Sequence, residues 1–108
     1  MPVYALNLFD LAANSDYLAY SKASPKAVAR YGGKVVALGH QGSELIPGAT
    51  PARNALVLVE WPDHASIQAY LDDPEFADLH PLREGGTLNY LWWAFDKLDD
   101  LRPLLKRA

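Results

Sequence analysis

An α+β domain of the ferredoxin-like kind, β-α-β-β-α-β around a four-stranded antiparallel sheet, is predicted by three observations. Four apolar runs of strand length open at Val3, Lys34, Asn54 and Leu88. Two stretches of helical periodicity and one long loop separate them, in the order of the split β-α-β unit, whose helices cover one face of the sheet. The chain has 108 residues, half of them apolar and 21% charged, which is one domain's worth and enough for a core without staples.

Val3 to Phe9 reads as the first strand, apolar or nearly so on both faces. Asn14, Ser15 or Asp16 then offers a side-chain oxygen to the free N–H groups of a helix start. Tyr17, Tyr20, Ser24, Val28 and Tyr31 recur at helical spacing. Ser24-Pro25 inside this stretch has the form of a cap followed by a first-turn proline, so a kink or a restart is expected. Gly32-Gly33 supplies the left-handed residue that ends the helix.

Lys34 to Leu38 is the second strand. Gly39 to Arg53, with Gly42, Pro47, Gly48 and Pro51, is a long hairpin connection. Asn54 to Trp61 is the third strand; its unbroken Ala55-Leu56-Val57-Leu58-Val59 places it at the centre, buried on both faces. Pro62-Asp63 starts the second helix, with Ile67, Tyr70 and Leu71 inward. Asp73-Pro74 opens a short segment carrying Phe76, Leu79 and Leu82, which Gly85-Gly86 breaks. Leu88 to Phe95 is the fourth strand, and residues 1–96 make the domain. From Asp96 on, Leu98, Leu101, Leu104 and Leu105 line one face of an extra C-terminal helix in a tail of residues 97–108. Pro103 shortens or kinks that helix, and Arg102, Lys106 and Arg107 favour its C-terminal dipole.

In the fourth strand Leu88, Tyr90, Trp92 and Ala94 share one face, while Leu91, Trp93 and Phe95 share the other. Both faces are apolar, yet the helices cover only one. Leaving such rings in water sacrifices about 1.5–3 kcal/mol per large side chain. A second copy, sheet on sheet, is the expected cover, so the chain is read as a homodimer; the tail helix is the alternative cover.

With no cysteine, the sequence excludes disulfides, iron–sulfur clusters, thiolate zinc and cysteine nucleophiles. Ten basic against 13 acidic residues give a net charge of −3 without a long basic run, which argues against nucleic acid or an anionic membrane as partner. Runs such as Tyr90 to Phe95 are too short to span a bilayer. Met-Pro-Val-Tyr-Ala-Leu lacks the basic region and cleavage site of a secretory signal, so the expected location is cytoplasmic. His40, His64 and His80 have no metal-ligand spacing, and no residue pattern calls for a metal or other cofactor.

Six short motifs stand in order along residues 1–96. They are Met1-Pro2-Val3-Tyr4; Asp16-Tyr17-x-x-Tyr20; Tyr31-Gly32-Gly33-Lys34; Arg53 before a strand closing in Glu60-Trp61-Pro62; Ala69-Tyr70-x-x-Asp73-Pro74-Glu75-Phe76; and Leu82-Arg83. In these the chain resembles the domain-of-unknown-function 1330 (DUF1330) family, within the dimeric α+β barrel superfamily. Glu60-Trp61 departs from that family's usual glutamate-phenylalanine, and the tail after Phe95 is longer than its usual end. The resemblance implies a dimer with a pocket between sheet and helices in each subunit, and no particular activity. Superfamily relatives include cofactor-free monooxygenases and isomerases, an analogy of fold only.

Several residues are candidates for a functional site. Glu60, in phase with Leu56 and Leu58 at a strand end, is a partly buried general acid or base, or else a carboxylate paired with a nearby arginine such as Arg83. His80, three residues before Arg83, is a second candidate base, or else a surface histidine bonded to Glu84. The resemblance places Arg53 and Arg83 at recurring family positions, where either can hold a substrate carboxylate in bidentate fashion. Tyr17, Tyr20 and Tyr70, with Trp92, are candidate pocket walls or core residues. Tyr31, Trp61 and Trp93 are further aromatic candidates, and Asn89 is a polar oddity in the last strand. Pro2, if Met1 is removed, would carry the secondary amine that tautomerases of a related β-α-β class use as a base; in this family it is the ordinary opening. The expected function is a small pocket that binds or transforms a small anionic or aromatic metabolite. The competing reading is a non-catalytic dimeric module.

Overall fold

The computed structural model describes residues 1–106; of the sequence expectations, Arg107 lies outside the described residues. Strand β1 (Val3–Leu11), helix α1 (Asp16–Arg30) and strands β2 (Lys34–His40) and β3 (Ala55–Trp61) come first. Helices α2 (His64–Asp72) and α3 (Leu79–Gly85), strand β4 (Thr87–Asp96) and a final turn α4 (Arg102–Leu105) complete the order. The sheet runs β2-β3-β1-β4 with every neighbour antiparallel. β3 lies between β1 and β2, and β1 between β3 and β4. Two β-α-β units thus interlock, as the ferredoxin-like expectation requires.

Local chemistry sets the helix ends. Asn14 Oδ1 accepts from the Asp16 N–H at 2.9 Å, while Asn14 Nδ2 donates to the Gly85 carbonyl at 3.0 Å. One asparagine therefore starts α1 and ties it to the end of α3. At the other end of α1, the Gly32 N–H bonds Ala29 and the Gly33 N–H bonds Val28, both at 3.0 Å. With Gly32 at φ +81° this is a Schellman close, which a residue bearing a Cβ enters only with strain. Asp63 caps α2 through the Ser66 N–H at 2.7 Å. Asp73 Oδ1 accepts from the Glu75 N–H and opens a 3₁₀ turn, Pro74–Phe76.

The restart expected at Pro25 does not occur: α1 runs through it as one helix. The carbonyl that loses its partner belongs to Ser21, an exposed residue, so water can take the place of the missing amide.

Val3, Ala5 and Phe9 of β1 and Val59 and Trp61 of β3 are buried on the helix side of the sheet. Ala27 of α1, Tyr70 of α2 and Leu79 of α3 close over that side. On the other side, Leu6 stands between Leu58 and Trp93, and Tyr4 between Glu60 and Phe95. Nothing in the described chain buries this second face. β3 is central as expected, but within one chain only its Val59 and Trp61 are buried.

The tail also departs from expectation. Helix is confined to Arg102–Leu105, where the Asp100 carboxylate accepts from the Arg102 N–H at 2.8 Å and Pro103 sits in the first turn. Leu98, Leu101, Leu104 and Leu105 all remain exposed, so they do not supply the cover their spacing promised. A helix of so few residues cannot offset its own nucleation without packing. Among the described residues, no helix is long and apolar enough to cross a membrane.

Candidate functional site

Strand parity decides which side chains reach the space beneath the helices. In β1 that parity runs Val3, Ala5, Asn7, Phe9, and it puts a polar residue in the middle of the covered face. Asn7 stands between Val57 and Trp92. Its Nδ2 donates to the Val57 carbonyl at 3.0 Å, and its Oδ1 accepts from the Tyr90 hydroxyl. With both ends of the amide engaged, Tyr90 is held against the floor.

α1 brings Tyr17 and Tyr20 over this floor, one turn apart, and α2 brings Tyr70. Tyr17 packs on Phe9 with ring centres 4.9 Å apart and on Tyr20 at 5.4 Å. The Tyr20 and Tyr70 hydroxyls share a hydrogen bond at 3.3 Å. Between these rings, Trp61 and Trp92, the structure leaves a cavity of about 250 Å³. Tyr17, Tyr20, Tyr70 and Trp92, all expected as walls, line it together, and Lys34 and Ser24 reach it from its β2 side and from α1. Among the described residues no carboxylate lines the cavity.

Burial governs the phenols. It is the main cause pushing Tyr17 up to about 12, with Tyr20 adding to it and Arg83 opposing. Burial likewise raises Tyr70, helped by the Tyr20 hydroxyl, and raises Tyr90. All three therefore stay protonated at neutral pH and keep a hydrogen to donate.

Arg83 stands directly behind this wall. It is 6% exposed, with its guanidinium carbon 4.8 Å from the centre of the Trp92 ring and 5.9 Å from that of Tyr20. A second opening of about 310 Å³, beyond Tyr90 and Trp92, is lined by Arg83 and Glu84. Yet among the described residues no carboxylate pairs with the guanidinium. A cation–π contact returns about 2 kcal/mol when desolvated, against several kcal/mol for taking the charge out of water. The Trp92 and Tyr20 rings, the His80 imidazole and the Tyr70 hydroxyl hold the charge between them, but none of them neutralises it.

His80 holds the guanidinium in place. Its Nε2 lies 3.1 Å from the Leu71 carbonyl, which can only accept, so Nε2 carries the proton. Nδ1 then accepts from Arg83 Nη1 at 3.2 Å. With both nitrogens occupied and the ring edge-on to Tyr70 at 5.5 Å, His80 has no free base to offer. The Glu84 bond that the sequence suggested is replaced by these two.

Glu60 and Arg53 lie elsewhere. Glu60 shares the parity of Leu56 and Leu58 and so faces the uncovered side of the sheet, where Lys97 Nζ binds it at 3.3 Å. That bond is the main cause raising the Lys97 ammonium. A Glu60–Arg83 pair is ruled out because the sheet separates them. Arg53 closes the hairpin: Nε donates to the Asn89 carbonyl at 3.1 Å and Nη1 to Thr50 Oγ1 and the Pro51 carbonyl. Asn89 has φ +54° and its Nδ2 donates to Asp10 Oδ2 at 2.9 Å, beside the irregularity in the β1–β4 register. The Asn89 bond, then the Asn54 N–H, then Arg53 hold the Asp10 carboxyl below the usual range. Arg53 and Asn89 thus clamp one end of the sheet. Tyr31 donates to Asp73 and Trp93 faces the uncovered side, both away from the cavity; Pro2 is exposed and outside its wall.

Asn7, Lys34 and Tyr90 were missed as site residues. Asn7 was legible as a polar residue in phase with Val3, Ala5 and Phe9, and Tyr90 shared its face with Trp92. Lys34 reads as nothing more than the polar first residue of a strand.

Compared with known proteins, the chain belongs to the family described as Domain of unknown function (DUF1330), whose model matches residues 2–92. Among solved structures it is similar to the RPA0582 protein of unknown function from Rhodopseudomonas palustris. That match has 25% identity and a TM-score of 0.81, over 92% of this chain and 84% of that one. SnoaB, a cofactor-independent oxygenase from Streptomyces nogalater, aligns at 16% identity and TM-score 0.63, over 94% of this chain and 97% of its own. A dimeric ferredoxin-like protein of unknown function from Jannaschia sp. aligns at 13% identity and TM-score 0.60, over 90% of this chain and all of its own. The last two show likeness of fold alone. No curated protein matches the chain.

Proposed function

We propose, on the premise of membership in that family, that the chain is a cytoplasmic homodimer whose subunits each bind a small anionic or aromatic metabolite beneath their helices. One observation carries this reading: Arg83, buried and without a carboxylate partner among the described residues, stands behind the aromatic wall of a cavity of about 250 Å³. A charge so placed is stabilised by a bound anion more than by anything else near it. Tyr17, Tyr20, Tyr70 and Trp92 supply the walls, Arg83 the charge, and His80 the hydrogen bond that orients it. Arg53 serves the hairpin. Glu60 belongs to the uncovered face rather than to acid–base chemistry in the cavity.

The dimer rests on that face. Trp93 and Phe95 are 56% and 48% exposed there, amid partly exposed leucines from three strands. A protein of the same fold is described as dimeric. The oxygenase activity in the name of SnoaB is not carried over, since likeness of fold does not transfer chemistry.

A native mass spectrum of freshly purified protein tests both parts. A dimer carrying one small adduct per subunit is the expected result. A monomer overturns the dimer. If Arg83→Met, which preserves bulk and removes charge, retains the adduct at the wild-type occupancy, the anchoring role of Arg83 falls.

A further inference from the structure

We infer that the occupant of the cavity is an aromatic carboxylate, with one substituted ring or two fused rings, whose carboxylate is received by the Tyr20 hydroxyl in front of Arg83. The inference deepens the pocket reading and rests on it. Four features of the cavity lead there.

Size comes first. A cavity of roughly 150 Å³ holds a benzene ring. At about 250 Å³ this one has room for a ring and more. The shape of the walls is second. Tyr17, Tyr20, Trp61 and Trp92 bring rings to a wall completed by valines of α1, β2 and β3, and stacking on those rings rewards a flat π-system over a branched aliphatic body.

Hydrogen-bond polarity is third. The polar side-chain groups of the wall are phenol, indole, hydroxyl, amide and ammonium, and the amide acceptor of Asn7 is already taken by Tyr90. The indole N–H of Trp61, a wall residue 3% exposed, has no acceptor among the described residues. A wall that offers hydrogens and lacks carboxylates selects an acceptor-rich ligand. Tyr17 and Tyr70 keep theirs because burial favours the protonated phenol.

Charge is the fourth feature. Arg83 is a single buried cation, Glu84 beside it is exposed and unpaired with it, and Lys34 is exposed to solvent. One buried positive charge is matched by one negative charge. A carboxylate carries one; a phosphate monoester carries up to two and would bring an uncompensated charge into the wall. The Tyr20 hydroxyl, 3.3 Å from that of Tyr70, can turn its hydrogen to a carboxylate oxygen, and the guanidinium 5.9 Å from the Tyr20 ring centre adds to the attraction.

The probes are 2-naphthoate, its neutral relative 2-naphthylmethanol, and cyclohexanecarboxylate, titrated into the intact protein by calorimetry. Naphthoate is expected to bind more tightly than the alcohol by about tenfold or more, the worth of a charge-assisted hydrogen bond. Cyclohexanecarboxylate is expected to bind measurably more weakly than naphthoate. Tyr20→Phe, which removes one hydroxyl and leaves the ring, is expected to weaken naphthoate by about tenfold and leave the alcohol unchanged. Equal binding of naphthoate and the alcohol overturns the carboxylate while leaving the pocket in place. Equal binding of naphthoate and cyclohexanecarboxylate overturns the aromatic requirement. Failure of all three probes to bind overturns both the inference and the pocket reading.

Discussion

On the helix-covered side of the sheet, Val3, Ala5 and Phe9 are at most 1% exposed; on the other side, in the neighbouring strand β4, Trp93 is 56% exposed and Phe95 48%. The two faces are built from the same kinds of residue at alternating positions along the same sheet. They differ in the elements that lie over them. Helices α1, α2 and α3 cover the first and leave a cavity in it, lined with phenols and backed by a lone guanidinium. The second has no cover within the described chain, and the Glu60–Lys97 pair sits at its end. Apolar character therefore suits both faces to burial, and the covering elements decide which of them the chain itself buries.

The contrast is sharpest in stability. Phe9→Ala on the covered face is expected to cost about 3–5 kcal/mol, through lost transfer energy and the cavity left behind. Equilibrium unfolding in urea measures it, and a loss under about 1 kcal/mol would break the assignment of that face as the core. Gly33→Ala comes next. A Cβ there would lie 2.6 Å from Val28 Cγ1 and 3.0 Å from the Trp61 ring, so a loss of about 1–3 kcal/mol is expected in the same assay.

On the open face the expected effect moves from folding to assembly. In the proposed dimer, Trp93→Glu should convert dimer to monomer in sedimentation velocity while the far-ultraviolet circular dichroism stays unchanged. A variant that remains dimeric would place the self-association surface elsewhere.

The smallest effect is the response to alkali. Burial pushes Tyr17 up to about 12 in the folded chain from an ordinary 10.0, so the fold favours its neutral form. Its contribution to stability is present in full below pH 10.0 and is lost as the pH rises through about 12. Tyr17→Phe should flatten the fall in melting temperature over that window, and an unchanged slope would mean that Tyr17 is no more buried than a surface phenol. The acid side has the opposite sign. Asp73, held below its ordinary 3.8 first by the Tyr31 hydroxyl and then by the Glu75 N–H, contributes above that value and loses its contribution as the pH falls through the lower folded one.

Much of the fold was legible because local chemistry spells it out. Gly32-Gly33 closes α1 by a hydrogen-bond pattern that only a left-handed residue permits, while Asp63 caps α2 and Asp73 caps the 3₁₀ turn. The site was half legible. Tyr17 and Tyr20 announce themselves by helical spacing, and Tyr70 by its place on an inward stripe. Pairing Glu60 with Arg83 failed for a particular reason. In a strand apolar at both parities, Glu60 and Trp61 are equally plausible inward residues, and only the packing of α1 and α2 on Val59 and Trp61 turns Glu60 outward. The tail failed for another: leucines at helical spacing state a preference that a helix without a surface to pack on cannot realise.

By itself the sequence determined the order of the strands and main helices, the close of α1 and the caps of α2 and the 3₁₀ turn, and an apolar sheet with a surplus of rings on both sides. These arise from interactions within a few residues of each other: capping, backbone handedness and the periods of helix and strand. Only the tertiary structure decided which face is core and that His80 is spent in holding Arg83. It alone also brought Asn7, Tyr20, Tyr70, Tyr90 and Trp92 around one cavity. Those outcomes depend on contacts between residues as many as 83 positions apart, such as Asn7 with Tyr90, which no local pattern encodes.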